Sequence, residues 1–230
     1  MKVLIACEES QRVCTEFRKR GHKAFSCDIQ PPSGGHPEWH ICGDVLQILT
    51  PILGGIDFET MDGEKHSFCG MWDLVIAHPP CTYLSFAGNR YLNVKRYGQK
   101  AIERHEKRQA ALEFFMKFVS AAVDTGAAMC IENPLGFVST AYRPADQIIH
   151  PYQFAASADD AENYVKKRTC LWLFGLPKLQ ANNLPAPSET LFCERQPHRS
   201  GDGLNCDEYR RKLRSKTFPG IARAMAEQWG

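Results

Sequence analysis

The stretch DLVIAHPPCTYLS, residues 73–85, largely decides the architecture of the chain. Its first five residues form a short apolar run, which is typical of a strand buried in a parallel sheet. The two prolines that follow stiffen the chain, because each has a fixed φ and no backbone N–H to give to a sheet. The sequence therefore predicts a rigid loop at one end of a buried strand, with Cys81 presented by that loop.

Short apolar runs of the same kind recur along the chain. They are found at 2–6, 23–27, 127–131 and 168–174 and at the start of 41–49. Stretches compatible with helices lie at 10–20 and 99–122, and a last one ends at Trp229. Strands that alternate with helices predict a three-layer, Rossmann-like α/β fold around a mainly parallel sheet. Residues 56–68 are predicted to form a hairpin around Asp62-Gly63, within an insertion at about 51–70.

Length and composition are those of an ordinary globular protein. The chain has 230 residues, of which 43% are hydrophobic and 23% are charged, so we expect one domain or one and a half. It contains no apolar run of membrane-spanning length, and its N-terminus does not resemble a signal peptide. We therefore expect a cytoplasmic protein that does not enter a membrane, in which the ten cysteines are reduced.

Positive charge is concentrated in two stretches, although the formal net charge is only +2. Residues 90–108 carry seven basic side chains against two acidic ones, and residues 195–216 carry seven against three. Such clusters favour contact with a polyanion such as DNA. The alternative is a pair of solvated surfaces with no partner.

Several loops with reactive or charged side chains directly follow predicted strands. Because ligands of parallel sheets bind at the carboxyl ends of the strands, we expect these loops to meet in one crevice. Cys81 could act there as a nucleophile or could be an inert packed cysteine. Glu132 would be costly to bury without a partner, so it either contacts a ligand or stays solvated. Lys166, Lys167 and Arg168 could contact a phosphate or a base carbonyl, or could be exposed.

Two carboxylates indicate where a nucleotide-like cofactor could bind. Asp28 and Asp44 end the second and third strands, where an acidic residue commonly holds ribose hydroxyls, although either could also be a turn or cap residue. The first loop, ACEESQ at 6–11, has no GxGxxG pattern, which disfavours a dinucleotide but leaves room for a cofactor without phosphate. Cys193, His198 and Cys206 lack the spacing of a zinc site, so no metal is expected.

Four segments resemble the cytosine-5 DNA methyltransferase family, in a compact form like those carried by bacteriophages. Residues 73–85 are similar to the strand and Pro-Cys loop of that family, and CIENPLG at 130–136 is similar to its Glu-Asn element. KKRTCLWLFGL at 166–176 resembles the element in which basic residues precede a strand. TFPGIARAMAEQW at 217–229 resembles the C-terminal helix that packs beside the cofactor strands.

The resemblance implies an S-adenosylmethionine-dependent methyltransferase fold and a covalent mechanism on a flipped base. Cys81 would add to carbon 6 of cytosine, Glu132 would hold nitrogen 3 and the amino group, and Arg168 with Lys166 would stabilise the carbonyl or the adjacent phosphate. The cofactor S-adenosylmethionine would contact Cys7, Glu8, Glu9, Asp28, Ile29, Asp44, Pro79 and Pro80. The partner DNA would contact Ser85, Arg90, Lys95, Arg96, Lys100 and Arg104 on a mobile loop.

The resemblance also divides the chain into three parts. Residues 1–180 would form the catalytic domain, 181–214 a small DNA-contacting insertion, and 215–230 a helix that packs back on the catalytic domain. An insertion of about thirty-five residues is too short for a full target-recognition domain, so specificity is expected to be loose or supplied by a partner. The first loop lacks the glycine-rich turn of the family, Pro134 stands where valine is usual, and Lys-Lys-Arg replaces Gln-x-Arg-x-Arg.

Other functions remain open at the level of sequence. An amino-directed methyltransferase would use an Asn, Asp or Ser before the two prolines and an aromatic residue after them, whereas this chain has His78 and Cys81. A catalytically silent fold could bind nucleic acid or a protein partner without reacting. The same chemistry could also transfer a group other than methyl, or act on a modified pyrimidine.

Overall fold

The computed structural model describes residues 1–51, 54–188 and 214–230. Its centre is a seven-stranded sheet, and a separate hairpin of two strands lies beside it. The strands in chain order are β1 Lys2–Ala6, β2 Lys23–Asp28, β3 His40–Cys42, β4 Gly55–Glu59, β5 Lys65–Cys69, β6 Leu74–Ala77, β7 Ala128–Pro134, β8 Gln147–Ile149 and β9 Thr169–Phe174. The described helices are α1 Arg12–Lys19, α2 Val94–Tyr97, α3 Gln99–Thr125, α4 Val138–Ala141 and α5 Pro219–Trp229.

The sheet order is β3-β2-β1-β6-β7-β9-β8, and its first five strands are parallel. The predicted α/β class and mainly parallel sheet are therefore confirmed. The strand order reverses between β1 and β6, and a reversal of this kind opens a crevice at the carboxyl edge of such a sheet. The loop that carries Cys81 starts at this point, directly after β6.

Strand β9 runs antiparallel to both of its neighbours, β7 and β8. Its first residues therefore lie at the edge where β7 ends, which brings the segment before β9 to the crevice. The sequence predicted β9 at 168–174 but not its direction, and it did not predict the three-residue strand β8.

Helices cover both faces of the sheet, which gives the three layers that were predicted. One hydrophobic cluster joins alternate strand residues to α1 and α5, through side chains such as Phe17 and Met225. The opposite cluster joins the other strand residues to α3 and the hairpin, through side chains such as Phe115 and Phe58. Because side chains alternate along a strand, β1, β2, β6, β7 and β9 each supply both clusters.

The predicted hairpin is present as strands β4 and β5, which pair antiparallel in a sheet of their own. In the connection between them, positive φ is taken by Gly63 but not by Asp62. Phe58 of β4 packs edge-on against Phe25 of β2, with ring centroids 4.9 Å apart. This contact anchors the hairpin to the central sheet. None of the described helices combines the length and the apolar character needed to cross a bilayer.

Candidate active site

The ends of the neighbouring parallel strands β6 and β7 place His78 beside Glu132. Ala77, the last residue of β6, pairs with Ile131, so His78 and Glu132 are the next residues along two adjacent strands. The Nδ1 atom of His78 lies 3.2 Å from Oε2 of Glu132, and the two side chains are only 8% and 20% exposed. A carboxylate that is largely removed from water thus has an imidazole nitrogen as its partner.

The loop after β6 presents Cys81 on a tight turn. The backbone N–H groups of Leu84 and Ser85 donate to the Cys81 carbonyl oxygen at 3.1 and 3.0 Å. Leu84 is fully buried below this turn, whereas Cys81 is exposed. The turn therefore fixes the backbone of Cys81 and leaves its thiol open to a substrate.

Three contacts join this loop to the one that follows β7. The Asn133 side-chain amide donates to the Pro79 carbonyl oxygen at 2.8 Å, and Phe137 N–H donates to the Leu84 carbonyl oxygen at 2.7 Å. Ser85 also pairs with Gly136 in an isolated bridge. We call the segments 78–86 and 132–138 the paired loops. Their contacts fix Cys81 relative to Glu132.

Lys167 reaches the same site from the start of β9. Glu132 pairs with Leu171, and residues that pair across two strands point to the same face. Lys167 lies two residues before Thr169, the first residue of β9, and its charge acts on Glu132. The Lys167 ammonium donates to the Arg214 carbonyl oxygen at 2.9 Å and lies 5.4 Å from the centre of the Phe218 ring.

Cys81, Glu132 and Lys167 lie close enough for their charges to shift one another's pKa. Partial removal of water by the surrounding loop raises the pKa of the Cys81 thiol, and the Glu132 carboxylate adds to the rise, while Lys167 opposes it. Burial alone would raise the pKa of Glu132, but the hydrogen bond and charge of His78 and the charge of Lys167 hold that pKa below its ordinary value. Burial lowers the pKa of Lys167, and Glu132 and Cys81 counteract this.

Arg168 and Lys166, the cations expected in the site, are placed differently from Lys167. Arg168 is exposed and Lys166 is half-buried. Burial lowers the pKa of His150, and the charges of Arg168 and Lys166 lower it further, so both cations lie near that histidine. Among these three cations, Lys167 is the one whose charge acts on both Cys81 and Glu132. Because β9 is reversed, the segment before it lies at the edge where β7 ends.

Cys7, Asp28 and Asp44 come together at the carboxyl ends of β1, β2 and β3, as their positions after strands predicted. Burial raises the pKa of the Cys7 thiol, and the charges of Asp28 and Asp44 contribute to the rise. Burial also raises the pKa of Asp28, to which the nearby Glu9 contributes. One oxygen of each aspartate accepts a local backbone N–H, from Gln30 at 2.9 Å and from Leu46 at 3.0 Å.

This cluster of acids suits a ligand that carries hydroxyl and ammonium donors. The Oε1 atom of Glu9 is buried and has no hydrogen-bond partner among the described residues. A buried carboxylate oxygen without a donor is costly, and a bound donor would remove that cost. The side chain of Ile29 is 78% exposed beside Asp28, so an apolar surface is open to a flat ring. Pro79 is buried below the Cys81 loop, and Pro80 is exposed.

Glu8 does not belong to this cluster, contrary to the expectation that it contacts a cofactor. Its carboxylate accepts the backbone N–H groups of Val13 at 2.7 Å and Cys14 at 3.2 Å, and the residue is 4% exposed. These N–H groups belong to the first turn of α1, where they have no partner within the helix. Gln11, which precedes the helix, has a φ of 57° and gives no side-chain cap. Glu8 therefore caps α1 in its place.

The residues predicted to contact DNA occupy the segment from Ser85 to the first turns of α3. The Ser85 hydroxyl accepts the Ala87 N–H at 3.3 Å and so caps a short 3-10 helix, Phe86–Leu92. Arg90, Lys95, Arg96 and Lys100 are exposed, and Arg104 is half-buried. Most of the second basic stretch and of the expected insertion at 181–214 lies outside the described residues. Cys193, His198 and Cys206 lie outside them as well.

Comparisons with known proteins assign no family to the chain. No protein-family model matches it, and no curated protein sequence matches it. Across residues 1–51, 54–188 and 214–230, no group of three or more His, Cys, Asp or Glu side chains is arranged to hold a metal ion. The sequence did not predict the contacts of His78 with Glu132 or of Asn133 with Pro79, although strand register could have indicated the first.

Proposed function

We propose that this protein is a DNA methyltransferase that modifies carbon 5 of cytosine through a covalent bond to Cys81. The observation that carries the proposal is the meeting of an exposed thiol, a largely buried carboxylate and an ammonium at the carboxyl ends of β6 and β7, where β9 begins. A nucleophile, a group that can hold a ring nitrogen and a cation for an oxygen are what addition to a pyrimidine requires.

Each group has a distinct role in this reaction. The sulfur of Cys81, as thiolate, forms a bond to carbon 6, and the electron pair of the 5,6 double bond makes carbon 5 nucleophilic. Glu132 holds nitrogen 3 and the amino group, and a proton that reaches nitrogen 3 through the Glu132 carboxylate neutralises the charge formed there. Lys167 stabilises the base carbonyl oxygen. After transfer, loss of the carbon 5 proton to solvent and breakage of the sulfur–carbon bond free the thiolate.

The proposed cofactor is S-adenosylmethionine, which supplies an electrophilic methyl group when it is bound. Asp28 and Asp44 would accept hydrogen bonds from its ribose hydroxyls and adenine amino group, and Ile29 would pack on the ring. The unpartnered Oε1 atom of Glu9 would accept a hydrogen bond from the ammonium of the cofactor's methionine part. Strand β9 is antiparallel and lies between β7 and β8 in the sheet. In a dinucleotide-binding fold the last strands of the sheet stand in sequence order, so this arrangement supports a methyltransferase over that fold.

Covalent trapping tests the proposal. A cytosine that carries fluorine at carbon 5 cannot lose a proton there, so the final elimination is blocked and the adduct persists. With S-adenosylmethionine and an oligonucleotide containing this base, we expect an SDS-stable adduct whose mass includes the added methyl group. Single-stranded and duplex oligonucleotides should both be tried, because a base must leave the stack to reach the thiol.

Matched variants make the trapping result specific. Cys81→Ser should abolish the adduct, whereas Cys69→Ser, which changes another exposed cysteine on the hairpin, should leave it intact. Lys167→Ala should reduce the adduct more than Arg168→Ala, because Lys167 is the cation that acts on Cys81 and Glu132. An adduct that survives in Cys81→Ser, or no adduct in the parent protein despite cofactor binding, would refute the proposal.

A further inference from the structure

A cleft of about 300 Å³ opens beside the loop that carries Cys81. Three aromatic side chains and three cations line most of it, namely Tyr83, Tyr91, Tyr97, Lys100, Arg104 and Lys107. We call it the tyrosine cleft. Its volume is at the lower end of the range of small-ligand sites, and Glu103 is the single acidic residue in its lining. The cleft therefore offers flat rings and positive charge together.

The rings and cations of the tyrosine cleft are arranged around Arg104. The guanidinium carbon of Arg104 lies 5.1 Å from the centre of the Tyr83 ring and 5.5 Å from the centre of the Tyr91 ring. The Tyr91 and Tyr97 rings are 5.6 Å apart. Such an arrangement can hold a further flat, electron-rich ring by stacking and by cation–π attraction.

Several large apolar side chains are exposed around the tyrosine cleft, although a basic helix that only faces solvent does not need them. Phe86, Tyr91, Val94 and Ile102 are each between 39% and 46% exposed, and all four lie within residues 86–102. Exposed apolar side chains that are grouped and bordered by charge indicate a binding surface. Positive charge alone would attract any polyanion. The exposed rings and apolar groups favour, in addition, a ligand whose flat faces are uncovered.

The tyrosine cleft is directly connected to the proposed nucleophile. Arg104 donates from Nη2 to the Thr82 carbonyl oxygen at 3.3 Å, and Arg108 donates from Nε to the Tyr83 carbonyl oxygen at the same distance. These two carbonyls come immediately after Cys81 in the chain. A strand that places one base at the thiol would thus pass its neighbouring nucleotides over the tyrosine cleft.

We propose that the tyrosine cleft stacks an unpaired nucleobase next to the target base, so that the substrate is single-stranded DNA. The inference deepens the proposed function and rests on it for the identity of the target base. The faces of a base inside a duplex are covered by its neighbours, so only an unpaired base can stack on Tyr91. Aromatic rings beside cations are the arrangement by which proteins bind single strands without sequence preference.

A binding assay on Cys81→Ser protein tests this inference without any covalent step. Fluorescence anisotropy would compare a short labelled single strand with its duplex, in the absence of cofactor. We expect Tyr91→Ala to weaken single-strand binding by about 5- to 150-fold and to leave duplex binding unchanged. Tyr91→Phe, which retains the ring, should bind as the parent does. Thermal unfolding should show that the substitutions at this exposed position leave the fold intact.

Matched lysines on α3 separate stacking from general charge. Lys107→Ala should weaken binding and reduce its salt dependence by about one unit of slope, whereas Lys117→Ala, at an exposed position outside the cleft, should do neither. If Tyr91→Ala leaves single-strand affinity unchanged, or weakens single strands and duplexes equally, the inference is overturned. Stacking that depends on Tyr91 without any adduct in the trapping assay would overturn the methyltransferase proposal alone.

Discussion

At the scale of single residues, the reactivity of Cys81 depends on two neighbours of opposite charge. Glu132 raises the pKa of the thiol and Lys167 lowers it, in addition to the rise caused by partial removal of water. Because the thiolate is the nucleophile, Glu132 lowers the fraction of reactive sulfur at neutral pH. The arrangement is useful only if Glu132 serves another purpose, and holding the pyrimidine ring provides one.

The pH dependence of Cys81 alkylation should reveal both neighbours. In Glu132→Gln the negative charge is lost, so the pKa of Cys81 should fall and alkylation by neutral iodoacetamide should begin at lower pH. In Lys167→Met the positive charge is lost, so the same midpoint should move to higher pH. Peptide mass spectrometry would follow Cys81, with exposed Cys69 of the same molecule as an internal control. Midpoints that do not move would show that the three groups are not neighbours.

Glu8 should matter for stability, since it caps α1. Glu8→Ala leaves two buried backbone N–H groups without an acceptor, so we expect a loss of about 1–3 kcal/mol in the free energy of unfolding. For a chain of this length that corresponds to a fall of roughly 2–12 °C in Tm. The adjacent acid provides the control, because Glu9→Ala removes a side chain that caps no helix. Equal losses in the two variants would contradict the cap.

At the scale of elements, the paired loops hold the nucleophile and the carboxylate in register. Gly136 is essential to this contact, because a Cβ atom at that position would collide with the Leu84 carbonyl oxygen. The backbone of one loop can therefore approach the other only where a side chain is absent. Strand pairing sets the position of Glu132, and the loop contact sets the position of Cys81 against it.

Gly136→Ala should separate the paired loops. We expect a loss of about 1–3 kcal/mol of stability from overpacking, and a fall in the rate of adduct formation of roughly 100-fold if Cys81 shifts by about 1 Å. Gly43→Ala is the control for stability, since a Cβ atom there would meet no atom within 4 Å. A Gly136→Ala protein with unchanged adduct rate would show that the loop contact does not position the thiol.

Local pattern predicted the elements better than it predicted their pairing. The apolar runs predicted the first residues of β1, β6 and β7 to within about one residue, because buried parallel strands are nearly continuous hydrophobic segments. Strand β7 continues past its apolar run to Pro134. Strand β8 has three residues, too few for a periodic signal. The direction of β9 depends on which strand it pairs with, and no local pattern encodes that choice. For this reason the sequence alone did not show that Lys167 lies at the edge where β7 ends.

Glu8 shows the same limit within a single loop. Its sequence position, two residues after β1, is where a cofactor contact was expected, and Glu9 does occupy such a position. Which of two adjacent acids faces the crevice depends on the positive φ of Cys7, at 59°, and of Gln11. Residues other than glycine take this conformation infrequently, so a positive φ at these two positions could not be predicted from the residue types.

At the scale of the whole molecule, the fold brings separate stretches of the chain to one edge of the sheet. The acidic cluster lies after β1, β2 and β3, and the reactive group lies after β6 and β7 and before β9. The basic residues of 90–108 continue from the reactive group, although the whole chain carries a formal net charge of only +2. The positive charge is therefore concentrated near the candidate site, which is where the proposed DNA substrate would need it.

Methyl transfer to carbon 5 of cytosine through Cys81 is tested most directly by locating the transferred methyl group on the base. DNA would be incubated with the protein and S-adenosylmethionine labelled in its methyl group, digested to nucleosides and analysed by mass spectrometry. If Cys81 is the nucleophile, label should appear in 5-methyldeoxycytidine with the parent protein and should be absent with Cys81→Ser. Label on an exocyclic amino nitrogen, or label that persists in Cys81→Ser, would contradict it.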